Sequence, residues 1–116
     1  MYRSSNNKYQ NQRICIEGRW FDSKREGRRF QELRLLERGG EISDLKTQVD
    51  YELIPTQTRQ HGKAERAVHY IADFVYRDNR HGGALVVEDA KGVRTPEYVI
   101  KRKLMLQKYG IEVKEV

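Results

Sequence analysis

Tyr70-Ile71-Ala72-Asp73-Phe74-Val75-Tyr76 and, farther along the chain, Asp89-Ala90-Lys91 decide the fold and point to the chemistry. In each segment an acidic residue interrupts a run that otherwise has the composition of a buried β-strand. Side chains alternate along a strand, so Asp89 and Lys91 project from the same side, about 7 Å apart along the chain. Burying a carboxylate is costly unless a cation or hydrogen bonds compensate it. Two carboxylates and one ammonium at adjacent strand ends therefore predict a metal site with a lysine beside it, which favours phosphoryl transfer.

Asp73 has no obvious route to solvent in this pattern. Simple alternation places Tyr70, Ala72, Phe74 and Tyr76 on one face of the strand and Ile71, Asp73 and Val75 on the other. The neighbours on its own face are β-branched and apolar. The alternative is an edge strand or a bulge at which Asp73 simply meets water.

The second strand gives a similar choice. Alternation places Leu85, Val87, Asp89 and Lys91 on one face and Val86, Glu88 and Ala90 on the other. Asp89 and Lys91 are either an ordinary exposed ion pair, worth under about 1 kcal/mol, or a metal ligand with a lysine that assists an attacking water or stabilises charge on a phosphate. Glu88 is expected to face outward or towards a helix, although a slip in register would exchange it with Asp89.

Length and charge restrict the class of protein. A chain of 116 residues with net charge +6 and a pI near 9.5 predicts one domain with a polyanionic partner, nucleic acid first and an anionic membrane second. A solvated basic surface that binds nothing is the alternative. The single cysteine, Cys15, excludes an intrachain disulfide, and no apolar run is long enough to span a membrane, so we expect a cytoplasmic protein with no membrane partner.

Local signals predict the organisation of the chain. Residues 1–12 are polar and basic, which is typical of a flexible arm, and residues 13–116 are expected to form a single domain. Ser23-Lys24-Arg25-Glu26 matches a capping box, and Thr95-Pro96-Glu97 is a second helix start. The predicted elements are a hairpin over 13–17 and 19–21, a helix over 24–38, a strand over 49–54, a loop over 56–65, strands over 66–76 and 84–91, a helix from Pro96 to Tyr109, and a strand over 111–116 parallel to the one before it. This order predicts an α/β fold with a mixed central sheet flanked by two helices and preceded by a hairpin.

Glu26 and the basic residues remain open on these grounds. Glu26 fits a purely structural role at the third position of the helix, but it also shares a face with Phe30 and Leu33, which would turn it towards the sheet. Basic side chains on the helices and near the loop are either solvated or follow backbone phosphates of a nucleic acid. The candidate contacts are Lys24, Arg25, Arg28, Lys63, Arg66, Lys101 and Arg102.

The motifs resemble those of the PD-(D/E)xK nuclease superfamily, with Asp73 as the first acid and Asp89-Ala90-Lys91 as the (D/E)xK element. Phe21–Glu26, Tyr70–Phe74 and Val87–Gly92 are similar to a family of uncharacterised small phage and prophage proteins placed in that superfamily, close to restriction-endonuclease-like folds and Holliday-junction resolvases. The similarity runs from about Ile14 to Val116 and departs at one point, because Ala72 replaces the proline of the motif.

The resemblance implies a restriction-endonuclease-like core of order αβββαβ and one or two Mg²⁺ ions held by Asp73, Asp89, the carbonyl of Ala90 and Glu26, with Lys91 as the catalytic lysine. It also implies a phage or prophage DNA endonuclease in the host cytosol that acts as a homodimer, with branched DNA as a possible substrate. The hard oxygen ligands favour Mg²⁺, for which Mn²⁺ can substitute. The alternatives are a non-catalytic nucleic-acid-binding accessory protein of phage DNA metabolism and a structural phage component.

Overall fold

The structure is a computed structural model that describes residues 12–116. The predicted N-terminal arm, residues 1–12, therefore lies outside the described residues except for Gln12. In the described range, no helix is both long enough and apolar enough to cross a membrane.

The N-terminal third forms as its local signals predict. Strands β1 (Ile14–Ile16) and β2 (Arg19–Phe21) pair as an antiparallel hairpin, whose turn residues Glu17 and Gly18 have φ values of 53° and 77°. Two consecutive left-handed residues match the twist of the flanking strands. Helix α1 (Lys24–Arg38) then begins where Ser23 Oγ accepts the Glu26 N–H at 3.2 Å, and it ends at Gly39. The predicted bounds of this helix are confirmed.

A four-stranded mixed sheet forms the centre of the molecule. It contains β3 (Ile42–Ile54), β6 (Val68–Asp78), β7 (Ala84–Asp89) and β8 (Lys114–Glu115) in the order β3-β6-β7-β8. The first two pairings are antiparallel, and β7 pairs with β8 in parallel after helix α2 (Pro96–Tyr109). The predicted α/β class, the mixed sheet and both helices are confirmed.

The strands differ from the prediction in their bounds. Strand β3 begins at Ile42 rather than at residue 49, because its polar first half pairs with the far end of β6. The residues predicted as a loop, 56–65, include two short paired strands, β4 (Gln57–Thr58) and β5 (Ala64–Glu65). Strand β6 begins and ends two residues later than predicted, β7 ends at Asp89 rather than at Lys91, and β8 has only two residues.

Two hydrophobic clusters cover opposite faces of the sheet. The cluster on the α1 side contains Phe21, Phe30, Leu33, Ile42, Phe74 and Tyr76. The cluster on the α2 side contains Leu53, Tyr70, Ala72, Val75, Val87, Tyr98, Met105 and Val113. The sheet therefore separates two cores, and each helix covers one of them.

The face prediction for β6 is wrong in one respect. Tyr70 and Ala72 pack on the α2 side, whereas Phe74 packs on the α1 side, so the alternation changes phase between Ala72 and Phe74. Asp73 lies at this change. Opposite it, Gln48 on β3 lies between the pairs Thr47–Phe74 and Val49–Ala72 and has a φ of 55°. A left-handed residue breaks the regular pleat, which is the physical reason that simple alternation fails here.

Gly27 fixes the hairpin against α1. A Cβ atom at Gly27 would lie 2.8 Å from Ile14 Cγ2 and 3.0 Å from Ile16 Cδ1. Only glycine therefore lets the hairpin lie this close to the first turn of the helix.

We expect Gly27→Ala to lower the free energy of unfolding by roughly 1 kcal/mol, because overpacking outweighs the helix propensity that alanine ordinarily adds. Urea unfolding of the purified variant measures this change. In an Ile14→Ala background, which removes the closest methyl group, the same substitution should be neutral or stabilising. Equal effects in the two backgrounds would show that the contact does not matter.

Candidate metal and phosphodiester site

Asp73, Asp89 and Lys91 lie around one open cavity at the end of the β6–β7 ladder. Phe74 pairs with Glu88, which brings Asp73 to the level of Asp89 on the neighbouring strand. The cavity has a volume of about 330 Å³ and is also lined by Tyr70, Ile71, Thr95, Glu97, Tyr98 and Lys101. The structure thus brings together the two strand acids and the lysine that the sequence singles out.

Asp89 is buried and held from two directions. Tyr70 Oη donates to its Oδ2 at 2.6 Å, and Lys91 Nζ lies 3.5 Å from its Oδ1. The same ammonium lies 4.6 Å from the centre of the Tyr98 ring, a cation–π distance. Burial and the hydrogen bond to Asp89 raise the pKa of Tyr70 above its usual value, so this phenol stays protonated and continues to donate.

Asp73 is held by the backbone of the (D/E)xK segment itself. The Ala90 N–H donates to its Oδ2 at 2.8 Å. Burial, assisted by the charge of Asp89, raises the pKa of Asp73 to about 6, against the lowering effects of the Ala90 N–H and the Lys91 ammonium. Asp73 is therefore a carboxylate whose negative charge is only partly compensated.

Glu26 reaches towards the same region from the first turn of α1. Its backbone N–H serves the helix cap, while its carboxylate Oε2 accepts a hydrogen bond from Gln48 Nε2 at 2.8 Å. Burial and the charges of Asp73, Asp22 and Asp89 raise the pKa of Glu26 to about 7. The backbone of Glu26 therefore contributes to the helix cap, while its carboxylate points towards the sheet.

Gln48, Tyr70 and Tyr98 contact the proposed site residues, and the sequence did not predict this. Gln48 lies in the half of β3 that the sequence did not predict, so its position opposite β6 was not visible. Tyr70 belonged to the quoted segment but was assigned to the other face from Asp73. A prediction of the β3–β6 register would have found the first of them.

Glu88 faces α1, on the opposite side of the sheet from Asp89. It forms a two-pronged ion pair with Arg29, with Nε to Oε1 at 2.9 Å and Nη2 to Oε2 at 2.6 Å. The Tyr76 hydroxyl also donates to Oε2. The hydrogen bond to Glu88 raises the pKa of Arg29 above its usual value. Of the two predicted orientations, the helix-facing one is therefore observed, and Glu88 does not line the cavity.

Asp73 and Asp89 line the cavity, and Glu26 lies close enough for both of their charges to raise its pKa, so hard oxygen atoms and negative charge are concentrated here. Asp73 and Glu26 each have a pKa raised in part by Asp89, which is the repulsion that a bound cation relieves. Within residues 12–116, no group of three or more His, Cys, Asp and Glu side chains is placed to hold a metal ion by itself. Mg²⁺ usually binds through one or two carboxylates together with water and substrate phosphate, so a partial ligand set fits it.

The basic residues proposed to contact DNA occupy different environments. Lys24, Arg25, Arg28, Lys63 and Arg66 are exposed, on α1 or near β5. Lys101 and Arg102 on α2 are half-buried and form ion pairs with Glu97 at 3.1 Å and Glu115 at 2.8 Å, respectively. Both charges are therefore matched within the fold, and of the two side chains Lys101 lines the cavity.

A family model described as "Protein of unknown function (DUF1064)" matches residues 6–115. The chain belongs to this family. Comparisons with curated proteins and with solved structures found no match. Family membership therefore assigns no chemistry, and the proposal for function depends on the site.

Stability in the absence of divalent metal should fall as the pH rises from 4.5 to about 7. An acid whose pKa is raised on folding stabilises the folded state fully below its unfolded pKa, and this contribution is lost as the pH rises through the folded value. For Glu26 these values are 4.5 and about 7. Glu115, whose pKa Arg102 and Arg94 lower to about 2, acts only at lower pH.

Thermal unfolding in EDTA across this pH range provides the measurement. Glu26→Gln should reduce the dependence and leave the part that comes from Asp73, whose pKa is also raised, to about 6. Glu52→Gln, which changes an exposed acid on β3, should leave the full dependence intact. Parallel curves for wild type and Glu26→Gln would contradict the assignment of this dependence to Glu26.

Proposed function

We propose that the protein is a Mg²⁺-dependent DNA endonuclease of the PD-(D/E)xK type, with a restriction-endonuclease-like core. The observation that carries this proposal is the meeting of Asp73, Asp89 and Lys91 around one cavity, with Glu26 electrostatically coupled to both aspartates. Carboxylates near a lysine, in a basic protein of net charge +6, suit a phosphodiester substrate.

Asp73, Asp89 and the carbonyl of Ala90 would hold the cation, and Glu26 would add a fourth oxygen ligand directly or through water. All are hard oxygen donors, for which Mg²⁺ or Mn²⁺ is suited. When bound, the cation supplies Lewis-acid stabilisation of the charge that develops on the phosphate.

The remaining steps are assigned to residues of the chain. Lys91 contributes a positive charge beside the scissile phosphate, and its place between Asp89 and the Tyr98 ring restricts the directions it can take. Tyr70 and the Ala90 N–H orient the two aspartates. Glu26 has a pKa of about 7 without metal, and as a ligand it would be held in its ionised form by the cation.

The substrate and the assembly are proposed from the resemblance. Exposed Lys24, Arg25, Arg28, Lys63 and Arg66 would follow backbone phosphates, which gives affinity without sequence readout. A homodimer with two sites would cut two strands, as expected for branched DNA of the Holliday-junction type. A phage or prophage protein acting in the host cytosol is consistent with these assignments.

A non-catalytic nucleic-acid-binding accessory role is the second candidate. It is favoured by the finding that, in the part of the chain that the structure describes, no three metal-ligating side chains of the His, Cys, Asp and Glu type converge. In that case the same basic surface binds DNA and the acids have no catalytic role.

Asp89→Asn should lower metal-dependent cleavage by about 100-fold or more, because it removes one of two charges that position the cation and the phosphate. The measurement is cleavage of linear duplex, single-stranded and four-way DNA with Mg²⁺, Mn²⁺ or EDTA. Asp44→Asn is the matched control, since Asp44 is exposed on β3 with a φ of 56°, a conformation that asparagine tolerates.

Cleavage that persists in Asp89→Asn would indicate a contaminating nuclease or another site. The absence of cleavage of every substrate by the wild type, with DNA binding retained, would favour the accessory role.

Tyr70→Phe should reduce the activity or the apparent Mg²⁺ affinity by about 10- to 100-fold, since it removes the hydroxyl that orients Asp89. The Mg²⁺ dependence of the cleavage rate measures this effect. Tyr51→Phe, a half-buried change on β3, serves as the control. Unchanged Mg²⁺ dependence in Tyr70→Phe would show that this hydrogen bond does not position the aspartate.

A further inference from the structure

The β1–β2 hairpin carries an exposed indole that the proposed active site does not use. Trp20 is 60% exposed, although tryptophan usually buries most of its large apolar surface. It lies opposite Cys15, which is also exposed, so both project from the outer face of the hairpin. Ile14, Ile16 and Phe21 provide the inner face and pack with the α1-side core. The inner face of the hairpin is therefore packed against the core, while Trp20 on the outer face is exposed to solvent.

The charges near Trp20 favour an anionic ligand. The guanidinium carbon of Arg13 lies 5.0 Å from the centre of the indole ring. The acid of the hairpin turn, Glu17, is matched within the fold by Arg34 at 3.0 Å and Arg38 at 3.7 Å. The chain then passes one exposed acid, Asp22, before three exposed basic residues at the start of α1, Lys24, Arg25 and Arg28.

We propose that the hairpin is a stacking platform for an unpaired DNA base, with Arg13 and the basic start of α1 contacting the neighbouring phosphates. An exposed aromatic ring beside cationic side chains is the combination that binds single-stranded nucleic acid, because every base offers a flat face and every linkage a negative charge. Bases inside a duplex are already stacked, so the ligand is a single-stranded segment, an end or a junction. DNA as the ligand rests on the proposed function, but the platform concerns binding and requires no catalysis.

The protein reports on this site directly, because Trp20 is its one tryptophan. Oligothymidylate of about 12 nucleotides, within the range of known site sizes, is titrated in EDTA while the tryptophan emission is followed. A duplex of equal length is titrated in parallel. The single strand should quench the emission, and the duplex should do so much more weakly.

Substitutions separate stacking from general electrostatics. By fluorescence anisotropy of a labelled oligothymidylate, Trp20→Ala should weaken binding by about 5- to 150-fold, the range for loss of one stacked base. Trp20→Phe should retain most of the affinity. Leu35→Ala, which removes an exposed apolar side chain of α1 (65% exposed), is the control and should change nothing.

Three results would overturn the platform: no quenching by the single strand, equal quenching by the duplex, or wild-type affinity in Trp20→Ala. Loss of self-association in Trp20→Ala with unchanged DNA affinity would also overturn it and assign the surface to a second copy of the chain. Asp89→Asn should be quenched like the wild type. If the protein binds DNA in this way but does not cut it, only the nuclease proposal is refuted. If it cuts DNA without the Trp20 response, only the stacking platform is refuted.

Discussion

Unbalanced negative charge is the constraint on which the site depends. Asp73, Asp89 and Lys91 line the cavity together with Glu97 and Lys101, and Glu26 on α1 lies close enough for the charges of both aspartates to act on it. Mutual repulsion and burial raise the pKa of Glu26 to about 7 and that of Asp73 to about 6, so ionising both acids at neutral pH destabilises the fold. Hydrogen bonds from Tyr70, Gln48 and the Ala90 N–H hold these carboxylates in place but bring no positive charge. Strain of this kind is typical of functional sites, where a ligand supplies the missing charge.

Glu88, on the same strand as Asp89, is a buried acid with a structural role. It is adjacent to Asp89 in the chain and fully buried, yet Arg29 pairs with both of its oxygens and Tyr76 adds a third donor. One face of β7 thus carries a carboxylate paired through both oxygens with a guanidinium, and the other a carboxylate with a phenol donor and a longer contact to an ammonium. Because both acids lie on β7 and are buried, burial alone does not explain why their surroundings differ. The difference lies in the choice of partners, which supports a ligand-binding role for the Asp89 side.

Local signals predicted the parts of the fold that local chemistry determines. Both helices were predicted to the residue, because Ser23 and Thr95 begin them and glycines end them. The sequence predicted Asp73, Asp89 and Lys91 as site residues because they place charged side chains within otherwise apolar strand segments. The first half of β3 is polar, and only pairing with a strand distant in sequence makes it extended. The change of phase at Asp73 depends on the left-handed Gln48 across the ladder, so neither the face of Phe74 nor the contact between Gln48 and Glu26 was visible before the register was known.

The first turn of α1 connects the two proposed nucleic-acid contacts. Glu26 points towards the sheet, and the adjacent Gly27 gives the hairpin room to approach through Ile14 and Ile16. The position of Trp20 is therefore fixed relative to the helix that presents Glu26, without a flexible linker between them. A base stacked on a rigid hairpin sets the path of the attached strand, whereas one stacked on a mobile loop would not. The close contact at Gly27 thus fixes the hairpin, and with it Trp20, against the helix that presents Glu26.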